Sequence, residues 1–166
     1  MKPFNLLFFL FLFQFSLAQE NDSTKMINEA LLKAKQENKH VFINYYSTNC
    51  RFSKKMRRKM NKDSFKELFS TNYIIVDIFI PKKETSDYVD CTNPMKFFGE
   101  SNCKEIKFPF WCILDSDGND IVVSYNEGNK NIGYPDCKES IQRFVEVVRR
   151  TSHFSDVKLN LIAASF

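Results

Sequence analysis

Two neighbouring segments decide the fold of this chain: Val41–Tyr46 (VFINYY) and Cys50–Ser53 (CRFS). The first is short, apolar and rich in β-branched and aromatic residues, which predicts a buried strand. The second begins a helix, because Phe52, Met56 and Met60 recur at a spacing of four and form one apolar face. A strand that turns directly into a helix is typical of an α/β architecture.

Cys50 lies at the predicted start of this helix. The free backbone N–H groups and the dipole of a helix N-terminus favour a thiolate over a thiol, and nearby cations add to that preference. The cations of this helix are Arg51, Lys54, Lys55, Arg57, Arg58 and Lys59. The pattern indicates a nucleophilic cysteine. The alternative is that Cys50 is a small buried apolar residue and the basic run is a solvated helix face.

The rest of the chain alternates helices and strands. Helices are predicted from about residue 26 to 37, around 65–69 and around 141–148, and strands at 73–80, 110–114 and 121–125. The turn at 115–119 joins the last two strands into a hairpin. This order predicts an α/β fold with a mixed central sheet that is flanked by helices on both faces.

Residues 1–18 have the pattern of a secretory signal peptide. Lys2 is followed by the apolar run Leu6–Phe13 and then by small residues at Ser16 and Ala18, as at a signal-peptidase site. The apolar run is too short to span a bilayer, and no later segment is long enough. We therefore expect an exported protein, periplasmic or secreted, without stable membrane insertion after cleavage.

The exported chain is expected to be one domain at 19–150, with an insertion at 81–107 and a C-terminal tail at 151–166. Its formal net charge falls from +4 to +3 when Lys2 is removed with the signal, which is too mild to indicate a nucleic-acid partner. There is no Cys-x2-Cys pair, and His40 and His153 stand alone in the sequence. We therefore predict no metal site and no cofactor.

The five cysteines are an odd number, so at least one thiol is free or pairs between chains. Disulfides persist outside the cytosol. Cys91 and Cys103 both lie in the polar insertion, where a bridge would staple a segment that has little apolar material; the alternative is two free thiols. Cys112 lies in an apolar strand and is interpreted as core, whereas Cys137 precedes the last helix and can be exposed.

Several segments occur together in an order that is typical of one superfamily. They are Glu29–Lys35, Asn38–Tyr46, Cys50–Met56, Tyr73–Asp77, Phe98–Glu100, Phe108–Phe110, Leu114–Gly118 and Gly133–Asp136. Over roughly residues 26–150 the chain resembles a thioredoxin-like domain, and more narrowly the C-terminal thioredoxin domain of membrane-spanning thiol:disulfide interchange proteins. The resemblance implies a thioredoxin fold in which Pro109 is a cis-proline beside the active Cys50. It also implies that the backbone of Phe108 receives an extended substrate strand.

The chain departs from that family at its active-site motif. Ser53 stands where the Cys-x-x-Cys motif has its resolving thiol, and Asn44 stands where family members usually carry a buried acid. A lone Cys50 can attack a disulfide, but nothing in the motif can attack the mixed disulfide that results. An ordinary dithiol reductase or oxidase is therefore disfavoured.

Two functions remain open. In the first, Cys50, with Ser53 beside it, carries monothiol thiol–disulfide exchange or isomerase-like activity on protein or small-molecule disulfides, with cysteine-containing clients or small thiols as partners. In the second, the protein is a catalytically lapsed thioredoxin-fold binding module. We favour the first, because an exported protein gains nothing structural from a free thiol at a helix tip.

Overall fold

The structure is a computed structural model that describes residues 22–80, 107–125 and 130–166. The predicted signal segment 1–18 lies outside the described residues, and so does most of the 81–107 insertion, including Cys91 and Cys103. No helix within the described ranges is long and apolar enough to cross a membrane.

The described strands form one mixed sheet. They are β1 (His40–Tyr46), β2 (Tyr73–Phe79), β3 (Phe110–Leu114) and β4 (Asp120–Val123). The sheet order is β2-β1-β3-β4, in which β1 is parallel to β2 and antiparallel to β3, and β3 is antiparallel to β4. The predicted mixed sheet is confirmed. The fourth strand begins one residue earlier than the sequence indicated and ends at Val123.

Helices cover both faces of this sheet. They are α1 (Asp22–Glu37), α2 (Arg51–Met60), α3 (Asp63–Ser70), α4 (Lys138–Thr151) and α5 (Asp156–Ser165). On one face, Ala30 and Ala34 of α1 share a buried cluster with strand residues. On the other face, Met56 of α2 and Phe144 of α4 belong to a second, aromatic cluster. The sheet is therefore the middle layer of an α/β sandwich.

Both faces of β1 are buried because its side chains alternate between these two clusters. Val41, Ile43 and Tyr45 lie in the α1 cluster, while Phe42 lies in the aromatic cluster. The Phe42 ring stacks on Trp111 of β3 with 5.6 Å between ring centroids. A strand that is buried on both faces has a nearly continuous apolar sequence, which explains the pattern of residues 41–46.

The C-terminal segment 151–166 contains α5, which the sequence did not indicate. Leu159 and Ile162 are buried in the aromatic cluster, while Val157 and Leu161 are exposed. Because apolar residues occur on all sides of this helix, its sequence shows no apolar face with a helical period. The helix is held by contacts with the core, and Phe166 lies 5.2 Å from Phe144 between ring centroids.

Candidate functional site

Cys50 is the N-cap residue of α2 and is partly exposed. The Ser53 N–H donates to the Cys50 Sγ at 3.4 Å, and the Lys54 N–H donates to the Cys50 carbonyl oxygen at 3.1 Å. Cys50 has an extended backbone with φ −97° and ψ 119°, as an N-cap residue requires. The thiol therefore lies where the sequence placed it, at the tip of the basic helix.

The peptide bond between Phe108 and Pro109 is cis. The Cys50 thiol donates to the Phe108 carbonyl oxygen at 3.3 Å, across 58 positions of the chain. The side-chain amide of Asn131 donates to the Pro109 carbonyl oxygen at 3.0 Å. The fold therefore brings together Cys50, Phe108 and Pro109, as the resemblance implied. Asn131 is a supporting residue that sequence reasoning missed, because nothing in its local pattern shows a partner 22 residues away.

A cleft of about 780 Å³ opens beside the cis-proline, and we call it the proline cleft. Its apolar lining includes Phe52, Phe108, Pro109, Tyr125, Ile132 and Tyr134. Lys107, Lys130 and Asp136 contribute charged groups to the same lining. A concave surface of this size, whose lining combines apolar and polar groups, is a candidate binding site.

Phe52 lines the proline cleft instead of the core, which corrects its predicted position. Met56 and Met60 are fully buried, but Phe52 is 40% exposed and Ser53 occupies the buried side of the first turn. The Phe52 ring stacks on Tyr134 with 6.2 Å between centroids. The buried face of α2 therefore follows positions 53, 56 and 60, and the apolar Phe52 lies beyond its edge.

The site has no thiol at position 53 and no acid at position 44. Ser53 and Asn44 are fully buried, and within the described residues neither the Ser53 Oγ nor the Asn44 Oδ1 has a hydrogen-bond partner. The Asn44 Nδ2 donates to the Asp77 Oδ1 at 2.8 Å. Asp77 also accepts a bond of 2.8 Å from Asn61 and lies 3.8 Å from the Arg57 Nε.

Asp77 is a site residue that sequence reasoning missed. It faces Asn44 directly in the parallel register of β1 and β2, so a carboxylate lies beside position 44 on the neighbouring strand. The sequence feature that could have pointed to Asp77 is that it is the single aspartate within the otherwise apolar strand Tyr73–Phe79. Its partner depends on strand register, which the local sequence does not specify.

Cys112 and Cys137 differ sharply from each other. Cys112 is fully buried in β3, and burial raises the pKa of its thiol, so it is inert as a nucleophile. Cys137 is exposed at the N-cap of α4, where its sulfur lies 3.2 Å from the Ser140 Oγ. The hydrogen bond from Ser140 lowers the pKa of the Cys137 thiol. Both residues are free thiols, as is Cys50.

No group of three or more metal-ligating side chains comes together within residues 22–80, 107–125 and 130–166. His40 instead uses its Nδ1 to bond the Thr151 carbonyl oxygen at 2.9 Å, which ties the start of β1 to the end of α4.

No known protein-family model matches the sequence, and no curated protein matches it. The chain is similar to a solved structure of a disulphide isomerase from Xylella fastidiosa Temecula1, with a TM-score of 0.55 and 14% identity. That match covers 79% of this chain and 94% of the isomerase chain. The fold is thioredoxin-like.

Two further solved structures are similar to this thioredoxin-like chain over a smaller share. They are a DsbH oxidoreductase, with a TM-score of 0.45 and 17% identity, and a thioredoxin from Thermus thermophilus, with a TM-score of 0.42 and 12% identity. Each match covers 74% of this chain and 80% of the other. At these identities the similarity concerns the fold.

Proposed function

We propose that this protein is an exported monothiol thiol–disulfide exchange protein that acts through Cys50. The observation that carries the proposal is the position of the Cys50 thiol, which is partly exposed at a helix tip and 3.3 Å from the carbonyl oxygen before the cis-proline. The disulphide isomerase to which the chain is similar has the same fold, and the match covers 94% of the isomerase chain. The signal pattern of residues 1–18 supports action in an oxidising compartment.

The exchange step is a displacement at sulfur. The Cys50 thiolate attacks one sulfur of a client disulfide, forms a mixed disulfide with it and releases the other sulfur as a thiolate. The hydroxyl of Ser53 cannot repeat this attack. The adduct therefore persists until a thiol from the client or from solution attacks it and releases Cys50.

The proline cleft is the proposed docking surface for the client. An extended segment that lies across Phe108 and Pro109 would bring its disulfide next to Cys50, because the Phe108 carbonyl oxygen is already in contact with the Cys50 thiol. Phe52 and Tyr134 offer apolar surface to the side chains of that segment. Extended peptides commonly use such combinations of backbone and pocket contacts.

A catalytically lapsed binding module is the second candidate. It is favoured by two buried residues, because Ser53 supplies no resolving thiol and Asn44 is an amide whose Nδ2 is already bonded to Asp77. A module of this kind would keep the proline cleft and bind clients without covalent chemistry.

Capture of clients on non-reducing gels distinguishes these two functions. The wild-type protein should accumulate mixed disulfides with clients from its native compartment, and Cys50→Ser should abolish them without unfolding the domain. Ser53→Cys should shorten the lifetime of the adducts by about tenfold or more, since the resolving attack becomes intramolecular. Cys137→Ser is the control that excludes adducts on Cys137, the other exposed thiol of the described residues.

A binding module would give a different result. If the wild type and Cys50→Ser retain the same partners without any covalent adduct, exchange is wrong and the binding module takes its place.

A further inference from the structure

A second pocket, of about 610 Å³, lies along α2, and we call it the basic pocket. It is lined by Tyr46, Thr48, Lys54, Arg57, Arg58 and Asn61. None of these residues lines the proline cleft. The volume is typical of a site for a small molecule.

The basic pocket carries positive charge that the protein does not neutralise. Arg57 lies 3.8 Å from the Asp77 carboxylate and 4.7 Å from the centre of the Tyr46 ring. Lys54 and Arg58 are exposed, and no acidic side chain of the described residues pairs with either. The Arg58 Nε donates to the Lys54 carbonyl oxygen at 3.4 Å, so the Arg58 side chain lies back along the helix towards Lys54. The pocket is therefore suited to an anion.

The basic pocket begins one helical turn from Cys50, because Lys54 is one of its lining residues. Lys54 and Arg58 follow Cys50, the N-cap of α2, at spacings of four and eight, so the two cations lie on one side of the helix, one and two turns from its start. Thr48, which also lines the pocket, lies in the turn between β1 and α2 and precedes Cys50 by two residues. A ligand held by Lys54 and Arg58 would reach Cys50 from the α2 side, while a client would lie in the proline cleft.

We propose that the basic pocket holds the carboxylates of a small anionic thiol, and that this thiol releases clients from Cys50. The inference rests on the proposed exchange function. The thiol, as its thiolate, attacks the Cys50 sulfur of the mixed disulfide, and the client leaves as a thiolate. A second molecule of the same thiol then attacks the new adduct. This attack regenerates the Cys50 thiolate and produces the oxidised dimer of the small thiol.

A small thiol fits the site better than an acidic client segment for two reasons. The client has its own surface in the proline cleft, next to Phe108. The motif lacks a resolving thiol, so the proposed exchange requires an external one, and the pocket begins one turn of α2 from Cys50.

The test uses the full protein with Cys137→Ser, carrying a neutral thiopyridyl group on Cys50 as a mixed disulfide. Release of thiopyridone is followed with mercaptosuccinate and with 2-mercaptoethanol at one ionic strength. Each rate is divided by the rate of the same thiol with a small pyridyl disulfide, which removes differences in intrinsic reactivity. Mercaptosuccinate should be favoured by about threefold to tenfold, as expected for two partly exposed ion pairs, and its rate should saturate.

Matched variants locate the effect. Lys54→Gln combined with Arg58→Gln should abolish the preference and the saturation, while Lys66→Gln on α3 changes charge away from the pocket and should preserve both. Succinate, which has no thiol, should inhibit the mercaptosuccinate reaction of the parent but not that of the double variant. Thermal unfolding of each variant shows that the fold is kept.

Different results would contradict the exchange function and the proposal for the basic pocket. If Cys50 accepts no thiopyridyl group from dithiodipyridine, the exchange function fails and the pocket proposal fails with it. If the adduct forms but both thiols show equal relative rates without saturation, only the pocket proposal is overturned. If the double variant instead slows reaction with an acidic peptide disulfide and leaves mercaptosuccinate unchanged, the pocket holds a client segment and the small-thiol proposal is wrong.

Discussion

At the scale of single residues, the pair formed by Asn44 and Asp77 distinguishes this site from that of the family it resembles. The amide of Asn44 donates to the Asp77 carboxylate at 2.8 Å from a fully buried position. The acidic group of this pair therefore lies on β2, and the amide on β1 serves as the hydrogen-bond donor. Restoring the acid at position 44 alone should then be unfavourable.

Asn44→Asp should lower the free energy of unfolding at pH 8 by about 3 kcal/mol, because it removes a donor and places two carboxylates together. Burial and the neighbouring charge raise the pKa of the new carboxyl in the folded state above its unfolded value of about 3.9. Stability is then lost as pH rises through the folded pKa, so the deficit should be smaller at pH 4 than at pH 8. Urea unfolding of both proteins at the two pH values measures this difference.

The swapped double variant, Asn44→Asp with Asp77→Asn, is the control. It restores one donor and one acceptor with the roles exchanged, so it should recover part of the lost stability, while the ion pair of Asp77 with Arg57 stays lost. Equal losses in the single and double variants would show that the contact between these two residues is not the cause.

At the scale of elements, α5 is the part of the chain whose role differs most from the sequence-based expectation. Its residues Leu159 and Ile162 belong to the aromatic cluster that also contains Phe144 of α4 and Phe65 of α3. The ring of Phe166, just after the helix, lies 5.7 Å from Phe65 and 5.6 Å from Tyr134. Since Tyr134 lines the proline cleft, the C-terminal helix supports one wall of the candidate site.

Ile162→Ala should destabilise the protein by about 2–4 kcal/mol, because it leaves a cavity at a fully buried position. Leu161→Ala is the matched control, since Leu161 is adjacent in sequence but 59% exposed, and its change should stay within about 0.5 kcal/mol. Chemical denaturation gives both values. Similar small effects for the two variants would mean that α5 does not contribute to the folded core in solution.

At the scale of the whole molecule, the cysteines of the described residues differ in their burial and in their hydrogen bonding. Cys50, Cys112 and Cys137 are free, and burial raises the pKa of Cys112, whereas a hydrogen bond from Ser140 lowers that of Cys137. Alkylation of the folded protein should therefore spare Cys112. Cys91 and Cys103 lie outside the described residues, and their pairing stays a prediction.

Non-reducing peptide mapping of the exported protein should recover Cys91 and Cys103 in one linked peptide, with Cys50 among the free thiols. The reason is that both residues lie in a polar insertion that a bridge would order in an oxidising compartment. The same digest should show a chain that begins near Gln19. Alkylation of both cysteines without reductant would contradict the bridge.

The order of the elements was predictable because it is encoded locally. The apolar run of residues 41–46, the amphipathic spacing after Cys50 and the turn residues at 115–119 each specify their own backbone within a short window. Local patterns of this kind predicted the strands, the helix that Cys50 caps and the mixed sheet. The family resemblance predicted the cis bond at Pro109. The grouping of Cys50, Phe108 and Pro109 in one site was implied by the family resemblance, since no local pattern links these residues.

The contacts inside the site were decided only by the tertiary structure. Asn44 and Asp77 are paired by the register of two parallel strands, and Asn131 reaches Pro109 across 22 positions of the chain. The burial of Ser53 and the exposure of Phe52 depend on which face of α2 meets the sheet. If the helix were turned about its axis by one residue, Phe52 would be buried and Ser53 exposed. The basic pocket likewise exists because the end of β1 and one face of α2 come together. A linear sequence specifies local backbone through periodicity, but register and helix rotation are set by packing between distant segments, and these decide the surroundings of Cys50.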